Sequence, residues 1–168
     1  ALKEPIEPAL VGFVLPLLAD ASLRTSARRA LRRAGDRIVG QLGDALLDEG
    51  LALDARRQLP AVLGQIASRR AVAALLAAQA SRHEDLRQRA VRALSELAPT
   101  LPVPRREVFA AVTRELEREE VSLPFVFALL GLVLEAAPLK HALGALAGDD
   151  ERLIGTSLEY LENVLPPT

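Results

Sequence analysis

The run Ser-Arg-His-Glu-Asp at 81–85 gathers residue types used in metal ligation, proton transfer and nucleophilic attack. A metal centre needs several His, Cys or carboxylate groups converging on one point. The chain has two histidines, His83 and His141, far apart in sequence, and no cysteine. A serine nucleophile needs a His and an acid in a fixed constellation, and no nucleophile-elbow glycine pattern surrounds Ser81. The ten glycines are scattered, and none forms a phosphate loop with a following Lys-Ser/Thr pair. Asp149, Asp150 and Glu151 are consecutive, whereas a calcium loop places its ligands at alternating positions. These residues predict no catalytic site, no metal and no cofactor, and so a protein that is not an enzyme.

The arginines are the more informative polar feature. Between 22 and 37 stand Arg24, Arg28, Arg29, Arg32, Arg33 and Arg37 against Asp36, a net +5. Between 149 and 162, Asp149, Asp150, Glu151, Glu159 and Glu162 oppose Arg152, a net -4. Arg28, Arg29, Arg32 and Arg33 form a basic patch suited to an acidic protein segment or anionic lipid heads. Arg24, Arg56 and Arg87 share one register and are expected to pair with turn acids such as Asp20 and Asp85, forming a structural ladder between repeats. Overall charge is only -1, there is no Trp, and the few aromatics are expected mostly on apolar faces. Nucleic-acid binding is therefore disfavoured.

Helices must position these groups. Leu86, Ala90, Ala93, Leu94 and Leu97 follow one helical face. The same spacing holds for Leu23, Ala27, Ala30, Leu31 and Ala34, and for Ala55, Leu59, Val62, Leu63 and Ile66. Leu31, Leu63 and Leu94 thus stand 32 and 31 residues apart, an internal repeat. Looser copies follow, with Phe127 and Leu130, then Leu153, Ser157, Tyr160, Leu161 and Val164 inward. Each such second helix (near 23–34, 54–67, 85–98, 122–136 and 151–165) follows a first one (near 8–19, 37–49, 69–80, 105–120 and 138–147). Asp36 and Ser122 are expected N-caps. Pro124 should open its helix, and Pro16 and Pro60 should kink theirs.

Half the residues are apolar but only 3% are aromatic, so Ala and Leu carry the core, which favours close-packed helices. The reading is an all-α, right-handed α-solenoid of about five helix pairs in a single domain over 1–168, with repeats near 8–35, 36–67, 68–98, 104–137 and 138–165. The longest apolar run, Leu123–Leu134, is 12 residues, short of the about 20 that span a bilayer. No secretory signal pattern opens the chain, and a cytoplasmic location is expected. The chain starts with Ala and contains no Met, which reads as part of a longer protein. Pro166 and Pro167 should end the last helix.

The segment "AVAALLAAQASRHEDLRQRAVRALSELA", 71–98, resembles a HEAT repeat: a first helix, a turn with acidic residues, then an apolar-Arg-x-x-Ala-x-x-Ala-Leu helix. The segment 8–35 is similar, with Asp20 and Arg24 at the turn and Arg positions. The resemblance implies stacked helix pairs and a non-catalytic protein-interaction or scaffolding module, with the second helices as the binding surface. Its partner would be another protein or another domain of the same polypeptide. "LEYLENVLP" at 158–166 resembles more narrowly a bacterial HEAT domain found beside nucleotide-translocase-type transporters. That likeness implies a regulatory soluble part of a membrane protein, with membrane contact only indirect. The HEAT-repeat deoxyhypusine hydroxylases carry several His-Glu pairs around two irons. Here the pair occurs once, at His83-Glu84, so a metal-dependent or nucleic-acid-binding HEAT-like protein is the weaker alternative.

Overall fold

The computed structural model describes residues 5–148 and 150–165; Asp149, Pro166 and Pro167 lie outside them. Among the described residues every regular element is helical and no strand occurs, so the chain is all-α. It divides into two compact units, the first ending at Pro102 and the second beginning at Val103. The boundary falls in the proline-rich stretch 99–104, where a residue preceding proline is steered away from helix.

In the first unit, α1 (Val11–Val14) is flanked by the 3-10 turns Pro8–Leu10 and Leu15–Leu18. Then come α2 (Arg24–Ala34), α3 (Val39–Leu47), α4 (Leu53–Arg56), α5 (Leu59–Leu63), α6 (Arg69–Ala77) and α7 (Glu84–Leu97). Helix α3 packs on α6 in one layer, while α2 packs on α5 and α5 on α7 in the other. Contacts of α3 with α5 and of α6 with α7 join the layers. The apolar stripes meet there: Leu31, Leu42, Leu46, Leu59, Leu63, Leu75, Leu86 and Leu94 are fully buried.

Proline shapes the layers. Near Pro16 the helix tightens into a 3-10 turn. The segment 54–67, expected as one helix, is two: α4 stops at Arg56, and α5 starts at Leu59 with Pro60 in its first turn. Proline has no N–H to donate and clashes with a preceding helical turn, but it fits a first turn. Helix α2 ends at Gly35, whose φ of 64° suits a residue without Cβ. Asp36 does not cap α3; it sits in a 3-10 turn, and its carboxylate accepts a hydrogen bond from the Ser68 hydroxyl. Ser68 in turn caps α6, accepting from the Arg70 N–H at 3.2 Å.

Two glycines set how closely the repeats approach. A Cβ on Gly64 would stand 2.9 Å from Ala93 Cβ and 3.1 Å from Ala93 Cα, and one on Gly43 would stand 3.0 Å from Ala74 Cβ. Each layer therefore has one tight glycine–alanine contact between successive repeats. Gly64→Ala is expected to destabilise by about 1–3 kcal/mol, because α5 and α7 must part to admit the methyl group. Urea denaturation would check this, and an unchanged midpoint would show that the two helices separate without cost.

The second unit contains α8 (Arg105–Leu116), α9 (Leu123–Leu130), α10 (Ala136–Leu146) and α11 (Glu151–Val164), each packed on the next. Phe125, Val126, Phe127, Leu129 and Leu130 of α9 are buried, with Val108, Ala111 and Val112 of α8. The apolar run 123–134 is thus a core helix and a following turn, shorter than the helix expected over 122–136. Ser122 occupies the N-cap position but makes no side-chain cap bond, while Pro124 lies in the first turn as expected. Asp150 caps α11, accepting from the N–H groups of Arg152 at 3.0 Å and Leu153 at 3.3 Å. Of the stripe expected on α11, Ser157 is buried and Tyr160, Leu161 and Val164 are half-buried, but Leu153 is 56% exposed and Ile154 is half-buried in its place. Among the described residues no helix is long and apolar enough to cross a membrane.

Candidate functional site

The three in-register arginines, expected to pair with turn acids, all donate to backbone carbonyls. Arg24 donates from Nε to the Leu18 carbonyl at 3.0 Å and from Nη2 to Ala19 at 3.1 Å. Arg56 donates from Nε to the Leu46 carbonyl at 3.0 Å. Arg87 donates from Nη1 to the Ser81 carbonyl at 3.0 Å and lies 3.4 Å from that of Arg82. Each guanidinium thus reaches back to the end of the preceding first helix, where carbonyls lack intrahelical partners and the helix dipole is negative. Arg56 and Arg87 are each only 4% exposed, which favours carbonyl acceptors that already lie inside the fold.

The hydrogen bonds of the expected acids go elsewhere. Asp20 closes its own turn, accepting from the Ser22 hydroxyl at 2.6 Å and from the N–H groups of Ser22 at 2.7 Å and Leu23 at 3.3 Å. These bonds, the Ser22 hydroxyl first, hold its carboxyl below the ordinary 3.8, and the Arg24 charge also lowers it. Their contribution to stability is present above that value and is lost as pH falls through the lowered one. Asp85 does link repeats, but through different arginines: it pairs with Arg57 Nε at 2.7 Å and Arg89 Nε at 2.9 Å. Arg57 also reaches Asp54 at 2.8 Å, and Asp54, ahead of Asp85, holds its guanidinium above the ordinary value. Further polar links join successive repeats. Arg32 donates to Gln65 Oε1 at 2.7 Å across 33 residues, and the Ser68–Asp36 bond spans 32.

The basic patch is partly assembled as expected. Arg28, Arg29 and Arg32 of α2 line a depression of about 210 Å³ with Thr25 of α2, Ala61 and Val62 of α5, and Gln65 in the turn that follows α5. Arg33 is exposed but lies outside that lining. A second depression, about 480 Å³, shares Arg28, Ala61 and Gln65 with the first and runs on to Gln88, Arg92 and Glu96 of α7. The two form one groove across α2, α5 and α7. Six guanidiniums (Arg28, Arg29, Arg32, Arg57, Arg89, Arg92) line it against two carboxylates, Asp85 and Glu96. Asp85 is engaged by Arg57 and Arg89. Among the described residues Arg28, Arg29 and Arg92 have no hydrogen-bond or ion-pair partner.

Arg92 was missed by a reading that followed charge runs within one segment. A signal was present: 85, 88, 89, 92 and 96 make a polar stripe on α7, as 25, 28, 29 and 32 do on α2.

The hydrogen bonds of His83 and Glu84 are local. His83 occupies the N-cap position of α7, where its carbonyl accepts from the N–H of Leu86 at 3.1 Å and of Arg87 at 3.2 Å. Glu84 accepts from Gln88 Nε2 at 2.7 Å, and the Ser81 hydroxyl accepts from the His83 N–H at 3.2 Å. His141 is exposed on α10, in the other unit. Among the described residues no three His, Cys, Asp or Glu side chains gather where they could hold a metal ion. Of the aromatics expected on apolar faces, Phe125 and Phe127 are buried, but Phe13 is 77% exposed. Compared with protein-family models and with curated proteins, the chain matches none.

Proposed function

We propose that this chain is a non-catalytic protein-interaction or scaffolding module, a right-handed α-solenoid of HEAT-like helix pairs that presents its second helices to a partner. The partner is another protein or another domain of the same polypeptide. The observation that carries this reading is the groove along α2, α5 and α7, lined by polar side chains of which three arginines lack partners among the described residues. Polar bonds spaced by about one repeat, Arg32 to Gln65 and Ser68 to Asp36, support the view that each helix pair is one unit of a stack.

Ala61 lines both depressions and is half-buried, so Ala61→Trp should obstruct the groove without altering its charge. Partners would be trapped by cross-linking to the native chain and identified by mass spectrometry. Ala61→Trp is expected to lose them, while Ala73→Trp, at an exposed position of α6, should keep them. Equal recovery by both variants would remove the second helices from the account.

A further inference from the structure

We infer that the α2–α5–α7 groove receives an extended acidic peptide segment; this rests on the interaction-module reading and specifies its ligand. The first argument is charge. Six guanidiniums against two carboxylates leave a local excess of four positive charges, in a chain whose overall charge is -1. The excess is concentrated, because Asp85 holds Arg57 and Arg89 in ion pairs at 2.7 and 2.9 Å. Arg28, Arg29 and Arg92 are left with unused planar donors, the geometry that binds a carboxylate through two parallel hydrogen bonds.

The second argument is shape. The floor is made of small or branched side chains, Ala61, Val62 and Ala93, and the close approach at Gly64 and Ala93 draws α5 against α7. Three helices side by side at about 9–10 Å make a groove about 20 Å across. That matches about six residues of extended chain at about 3.3 Å each. Gln65 adds polarity between the charges. Its Oε1 is taken by Arg32 at 2.7 Å, which leaves its amide N–H groups as donors to a peptide carbonyl or carboxylate.

The third argument concerns the kind of polyanion. No aromatic side chain lines either depression, so bases of a single-stranded nucleic acid would find no stacking platform. Glu96 lies at the α7 end and disfavours an anionic group directly beside it, while the guanidiniums dominate the rest of the groove. A peptide can place a neutral or basic residue opposite it. The acidic residues are therefore expected over α2 and α5, with a less acidic end towards Glu96.

The test is fluorescence anisotropy of a labelled octaglutamate peptide with the 168-residue chain. Octalysine and single-stranded octathymidylate serve as comparison probes. Octaglutamate should bind at low salt, and more weakly as ionic strength rises. The triple variant Arg28→Ala, Arg29→Ala, Arg92→Ala should weaken it by about tenfold or more. Arg69→Ala with Arg70→Ala, on exposed positions of α6, should leave binding unchanged. Circular dichroism confirms that each variant is folded. No binding of octaglutamate, equal loss in both sets of variants, or tighter binding of octathymidylate would overturn the proposal, the last in favour of nucleic acid. The Ala61→Trp result separates this failure from that of the module reading: partner loss in that variant without octaglutamate binding would leave the module standing and remove the acidic ligand.

Discussion

Leu94→Ala is expected to cost about 2–5 kcal/mol of stability, the largest effect of any single substitution considered. Leu94 is fully buried on α7, the helix that packs on both α5 and α6. Its neighbour Ala93 already sits against Gly64, so α7 has little room to move inward and fill the space left by the lost methyl groups. The cost therefore combines lost transfer free energy with an unfilled cavity. Urea denaturation followed by far-ultraviolet circular dichroism measures it. Leu158→Ala, on a residue 48% exposed in α11, is the comparison and should change stability by no more than about 0.5 kcal/mol. A Leu94→Ala loss below about 1 kcal/mol would mean that the repeats yield locally and that the stripe is not a shared core.

Arg56→Ala is expected to destabilise by about 1.5–3 kcal/mol. The arginine is 4% exposed, and its Nε donates to the Leu46 carbonyl at 3.0 Å, in the last turn of α3. Removing it leaves a carbonyl inside the fold without that donor and takes a positive charge from the negative end of the helix. Arg56→Met restores most of the side-chain volume without the donors. If capping carries the effect, Met should rescue little, and amide exchange should quicken in the last turn of α3 before the rest of the helix. A Met variant as stable as the native chain would show that packing alone is at stake, as happens where a buried charge is replaced by a well-fitting apolar group. Arg24 and Arg87 make the corresponding contacts in the neighbouring helix pairs. The shared register therefore corresponds to a repeated backbone contact.

What the sequence determined by itself is what depends on neighbours along one chain. The apolar stripes of α2, α5 and α7, the spacing of Leu31, Leu63 and Leu94, and the first-turn Pro124 all follow from helical periodicity and from the missing proline N–H. Those give the helix pairs and most of the buried leucines in advance. Tertiary structure alone decided which groups meet. Whether Arg56 pairs with a carboxylate or a carbonyl depends on what lies beside it after α3 and α4 fold together, and the buried acceptor there is Leu46. The approach of Gly64 to Ala93, the exposure of Leu153 on α11, and the addition of Arg92 to the α2 patch likewise depend on residues distant in sequence. The apolar period is written into each helix because burying a face is a property of that helix. The partner of a polar side chain is a property of two elements at once, so it appears only when both are in place.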